Sequence, residues 1–164
     1  MKSSVAGFWA GVLATGPMTY VMIKMFETLP REEKSPLPPA TLSFQLTPLS
    51  SRLWRREQAS LALLSHFLYG GSTGIFYAKL RPHLACGPRV SGVVFGLSLW
   101  AVSYLGWIPS LGLRAAAQRM PPSRNFLMVL AHLLWGLSLG YAEERLRADG
   151  ERMFAGELKA PAAE

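Results

Sequence analysis

The sequence predicts an all-α integral membrane protein: a four-transmembrane-helix bundle made from a tandem duplicated two-helix repeat with GxxxG packing faces. Three observations carry the prediction. Half of the 164 residues are hydrophobic and only 16% are charged, against roughly 25% in soluble domains. The apolar residues come in four runs free of Asp, Glu, Lys and Arg, at 3–23, 58–78, 90–113 and 125–142. Each run falls within the ~17–25 residues that a helix needs to cross a bilayer. Finally, the pattern His-x-x-aromatic-Gly-x-x-x-Gly occurs twice, as His66 to Gly74 through Tyr69 and Gly70, and as His132 to Gly140 through Trp135 and Gly136.

Helices are the expected form, because an open strand in lipid leaves backbone groups unpaired, and no run shows the period-two alternation of a membrane barrel. They are placed at about 3–26, 48–80, 90–108 and 125–146, in one domain of residues 1–146. A polar C-terminal tail of residues 147–164 follows, poorly ordered from Asp149 on.

The first helix carries Gly7-x-x-x-Gly11, extended by Ala6, Ala10 and Ala14. Small residues four apart share a face and let two backbones approach. The uncharged run is too long for the apolar core of a typical signal peptide and lacks an Ala-x-Ala site, so it reads as a retained helix. Gly16 and Pro17 mark a hinge: proline removes a hydrogen bond and frees the Leu13 carbonyl, predicting a kink.

The first connection holds Leu37-Pro38-Pro39, and Thr47-Pro48 reads as the cap and first residue of the second helix. Trp54-Arg55-Arg56 is an interfacial anchor. On that second helix His66, Gly70 and Gly74 recur every four residues, so the histidine shares the glycine face and points at a neighbouring helix. The third helix opens with Gly92-x-x-x-Gly96 and ends near Trp107-Ile108-Pro109. The fourth carries His132, Gly136 and Gly140.

The halves match in order: Gly7 and Gly11 with Gly92 and Gly96, Leu37-Pro38-Pro39 with Met120-Pro121-Pro122, His66 to Leu80 with His132 to Leu146. Two spans per repeat make the repeats parallel about an axis along the membrane normal. The two histidines then lie roughly 10–12 Å inside their helix starts, in the same half of the bilayer. Lys and Arg divide almost evenly between the two sides, leaning only slightly toward loops inside and termini outside.

The net charge of +7 does not indicate nucleic acid, since the basic residues flank the apolar runs where lipid headgroups lie and form no basic stripe interleaved with aromatics. Cys86, the one cysteine, excludes an intramolecular disulfide and any cysteine-built metal site within the chain. There is no phosphate-binding glycine loop, nucleophile pair or intramembrane carboxylate pair, so no enzyme is expected.

These features, residues 5 to about 146, resemble the YagU-like (DUF1440-type) and DUF6789-type families of uncharacterised bacterial inner-membrane proteins. The resemblance rests on Gly7-x-x-x-Gly11 leading to Ala14-Thr15-Gly16-Pro17-Met18-Thr19, and on Leu37-Pro38-Pro39. It also rests on Gly106-Trp107-Ile108-Pro109-Ser110-Leu111-Gly112 and the two histidine motifs. Glu27 with Leu29-Pro30-Arg31 loosely resembles a Trp-Glu and Pro-Pro-Arg pattern of the first family. The resemblance implies a four-span protein of the bacterial inner membrane. Acid tolerance is associated with some relatives.

His66 and His132 are the candidate functional polar pair. Neutral imidazoles bonding across helices would fix the bundle, which fits a structural or partner role in envelope or acid-stress physiology. Histidine also titrates near neutrality, so the alternative is a His-gated proton or small-solute pathway. Haem b or a metal held by the pair is a lesser reading, and no cofactor is assigned. The expected partners are the lipid bilayer and, given GxxxG faces open for docking, a second copy or another membrane protein.

Overall fold

The computed structural model describes residues 3–34, 55–112 and 119–154. Leu37-Pro38-Pro39, the Thr47-Pro48 helix start, Trp54 and residues 155–164 lie outside them. Among the described residues the chain is all-helical. Helix α1 spans Ser3–Thr28, α2 Arg55–Leu80, α3 Pro88–Ser110 and α4 Pro122–Phe154. Short 3₁₀ turns follow α1 at Arg31–Glu33 and α2 at Arg81–His83. Helix α1 packs on both α2 and α4, and α3 packs on α4.

Three of these helices, α1, α3 and α4, are long and apolar enough to cross a membrane. Helix α2 has the length of α1, but Gln58, Ser60, Ser65, His66, Ser72, Thr73 and three glycines dilute its hydropathy. Many of its outward residues are nonetheless apolar: Leu63, Leu64, Leu68 and Phe76 are all at least half exposed.

Helix α1 is continuous through Pro17. Leu13 and Pro17 are both exposed, so the carbonyl that proline deprives of its donor lies on the outer side of the helix, not toward a cavity. A Cβ at Gly16 would meet nothing within 4 Å. Pro17 of the expected hinge thus lies on the outer side of a continuous helix.

Helix α3 changes character midway. Val102–Trp107 form a wider π-helical stretch, with Gly106 at φ −111° and ψ −107°. The cause is Pro109. It has no N–H to offer Leu105, and its ring would crowd that carbonyl in a regular α-helix. Widening the preceding turn relieves the crowding.

Helix α4 runs past the expected end near residue 146. Residues 147–154, assigned to the tail on their polarity, continue it without a break. At ~1.5 Å per residue the helix is about 50 Å long, more than the ~30 Å hydrocarbon core requires. Its start is clamped to the first connection: Arg124, buried to 4% exposure, donates from Nη1 to the Glu33 carbonyl at 2.7 Å, and Ser123 hydrogen-bonds the Glu33 carboxylate.

Candidate functional site

The eight motif glycines fall where helices touch. A Cβ at Gly7 would meet the Gly74 carbonyl and Ala78, and one at Gly11 the Gly70 carbonyl. In the other pair, Gly92 abuts the Gly136 carbonyl and Gly140, and Gly96 abuts the His132 carbonyl and Gly136. All four helices therefore use these faces within the chain. GxxxG faces open for a partner, the sequence argument for docking, are not what the fold presents.

The glycine contacts bring the histidine-bearing turns into the interior. His132 is 8% exposed. Its Nδ1 lies 2.8 Å from the Met128 carbonyl oxygen. A carbonyl only accepts, so Nδ1–H is the donor and Nε2 of the neutral ring is left as the acceptor. The Tyr104 ring stands edge-on to this imidazole, with centroids 6.0 Å apart, and its hydroxyl donates to Met128 Sδ at 3.1 Å.

His66 comes from α2 and is close enough to His132 for the charge of one to act on the other. Its Nε2 is buried with no hydrogen-bond partner among the described residues. The Tyr69 side chain, one turn on, approaches Ser103. The π-helical stretch thus contributes Ser103 and Tyr104 to the site, two residues to which sequence reasoning assigned no role.

Two further groups were missed. Thr15 is fully buried where α1, α2 and α4 meet. It accepts from Trp135 Nε1 at 3.2 Å and donates to the Gly11 carbonyl at 2.8 Å, while Gly70 faces its hydroxyl directly. The second is Glu143, placed by sequence just outside the last span. It is 1% exposed. Arg147 Nε lies 4.0 Å from its Oε1, and its Oε2 is buried without a hydrogen-bond partner among the described residues, as is Nε of Arg81. Beside them the Tyr77 hydroxyl donates to the Pro88 carbonyl at 2.8 Å and shares a 3.0 Å bond with Ser91.

Helical geometry arranges these groups in a line. Asn125, His132 and Glu143 stand 7 and 11 residues apart, which on an α-helix puts them within about 20° of one another. They extend over about 27 Å of α4, close to the ~30 Å of a bilayer core. Asn125 at one end also has a buried oxygen, Oδ1, unpartnered among the described residues. One stripe of α4 therefore carries polar groups from one end of the bundle to the other, with His66 joining at the middle and Arg81 at the end. Among the described residues no three His, Cys, Asp or Glu side chains converge as a metal site.

Neither a curated protein nor a solved structure matches the chain. A family profile does, and it covers nearly the whole sequence, as the histidine and glycine motifs implied. The chain belongs to DUF6789, a family of unknown function, matched over residues 1–153.

Proposed function

We propose that the chain is a four-span protein of the bacterial inner membrane, built from a tandem two-helix repeat, and that its polar stripe is a proton pathway. The observation that carries the pathway is Glu143: a carboxylate buried to 1% exposure, in line with His132 on α4. Sequence reasoning offered the histidines no intramembrane acid to pass a proton to, and burial of Glu143 supplies one. Ionisable groups inside a membrane bundle are costly and commonly mark an ion path.

In this reading His132 takes a proton on Nε2 while Nδ1–H stays with Met128, and exchanges it with His66 through that same edge. Transfer from His132 to Glu143, about 16 Å along α4, requires water, and the Tyr77 and Ser91 hydroxyls lie at the Glu143 end. Glu143 is the terminal carrier. The charged groups acting on it are Arg147, Glu144 and Glu151 of its own helix and Arg81 of the turn after α2, so the two arginines hold the exit.

The four-span architecture is supported by the apolar outer face of α2 and by its seat on α1. The repeat is supported by both helix pairs meeting through the same four glycine positions. Aligning the histidine motifs, however, shows the second pair displaced by one helical turn: Gly7 lies between Gly74 and Ala78, whereas its counterpart Gly92 lies between Gly136 and Gly140.

A structural or partner role in envelope or acid-stress physiology is the second reading, favoured by the backbone-to-backbone packing of all four helices. A second copy or another membrane protein would then dock on the outer apolar faces. Proton flux separates the two. Proteoliposomes carrying a pH-sensitive dye should acidify faster with the protein than without it, and His132→Gln, His66→Gln or Glu143→Gln should each slow this about tenfold or more with helicity unchanged. Flux no greater than in empty liposomes would leave the structural role. An absorption spectrum of the purified protein tests a haem on the histidines, and none is expected.

A further inference from the structure

We propose that Arg89, Tyr141 and Arg145 bind the phosphate of an anionic phospholipid headgroup. The guanidinium carbons of Arg89 and Arg145 lie 5.5 and 5.4 Å from the centroid of the same Tyr141 ring. Two elements build this cluster. Arg145 is one turn beyond Tyr141 on α4. Arg89 belongs to the first turn of α3, and it reaches the ring because Gly140 has no side chain: a Cβ there would strike the Pro88 carbonyl and press on Arg89 Cα.

Both arginines are exposed and Tyr141 is 44% exposed. Among the described residues neither arginine has a carboxylate within ion-pair distance. Of the two acids beside Arg145 in sequence, Glu143 is buried and Glu144 is exposed without an ion pair to either arginine. Attraction to the ring draws both guanidiniums to Tyr141, and no ion pair among the described residues neutralises either. A phosphate beside the ring would do so, since its oxygens accept from guanidinium forks.

The position favours a lipid over a free anion. The cluster sits where the uncharged run 125–142 ends and α3 begins, the depth at which tyrosine and arginine meet headgroups. Directly toward the membrane centre, Val90 and Val94 of α3 and Leu133 and Leu137 of α4 face outward, an apolar surface along which an acyl chain would lie beneath its headgroup. The inference stands independently of proton conduction.

The test is native mass spectrometry of the detergent-purified full chain with phosphatidylglycerol, using phosphatidylcholine as the neutral comparator. Phosphatidylglycerol adducts should be retained preferentially. Arg89→Gln and Arg145→Gln should each weaken retention about fivefold, Arg89→Lys/Arg145→Lys should restore part of it, and Lys79→Gln, at the same end on α2, should change nothing. Equal loss in Lys79→Gln would show a diffuse charge effect and overturn the site, as would equal retention of the two lipids. Displacement by inorganic phosphate at concentrations comparable to the lipid would overturn the lipid as its occupant. A measurement free of variants accompanies it: phosphatidylglycerol, and not phosphatidylcholine, should raise the melting midpoint of the wild-type protein. Absence of that difference overturns the proposal.

Discussion

Thr15 joins three helices through one hydroxyl. The Trp135 indole donates to it, it donates to the Gly11 carbonyl, and Gly70 leaves room for it. Thr15→Val keeps the shape and removes the bonding oxygen, so the indole N–H would be stranded in an apolar interior. The expected loss is about 1 kcal/mol, measured by equilibrium unfolding in mixed micelles, while Thr15→Ser should lose less. At this scale the sequence was legible where spacing sets the answer. His66 and His132 share faces with glycines four residues on, so their inward direction followed from the helical period. Glu143 was not legible. It stands one residue beyond an uncharged run, and charge alone places such a residue in water. Its burial depends on α2 ending alongside, with Tyr77 and Arg81 at the same level, which no local pattern reports. Thr15 was hidden for a related reason: its partner Trp135 is distant in sequence and declares itself only once the helices are packed.

Between whole helices, the contact surface is backbone against backbone. At Gly11 a methyl group would collide with the Gly70 carbonyl, whereas at Gly16 it would project into open space. Gly11→Ala should therefore destabilise the bundle by about 1–3 kcal/mol through overpacking. Gly16→Ala should be neutral or stabilise it by up to about 1 kcal/mol, since alanine is the better helix former. The same unfolding assay checks both, and equal effects would mean that the α1–α2 contact is looser than described. Element existence was well encoded, because uncharged runs of this length have few other solutions. Helix ends were encoded less well. The extension of α4 to Phe154 follows a charged stretch that reads as polar tail, yet Glu, Arg and Ala are good helix formers. The π-helical turn was encoded only indirectly, through Pro109, whose effect falls on residues that precede it. Because that turn supplies Ser103 and Tyr104, the local irregularity is also where part of the candidate site went unseen.

At the scale of the whole molecule, helix number fixes which loops share a side. With four spans, Lys34 and Cys86 lie on opposite sides of the membrane. With three spans and α2 on the surface they lie on the same side. Cys86 labels as it stands, and Lys34→Cys in a Cys86→Ser background reports the other connection. An impermeant maleimide applied to one face of sealed vesicles should modify only one of the two positions, the four-span outcome. The near-even division of Lys and Arg that left sidedness open in the sequence is thereby bypassed. The one-turn displacement between the two helix pairs carries a further consequence. Small-residue surfaces sharing the same four glycine positions accept two alignments in a single protein, so they provide adhesion without an address. The address must be written elsewhere, in directional contacts such as Thr15 with Trp135 and Tyr77 with Pro88 and Ser91. Erasing those contacts should leave helices that still cling together but no longer agree on where to stop.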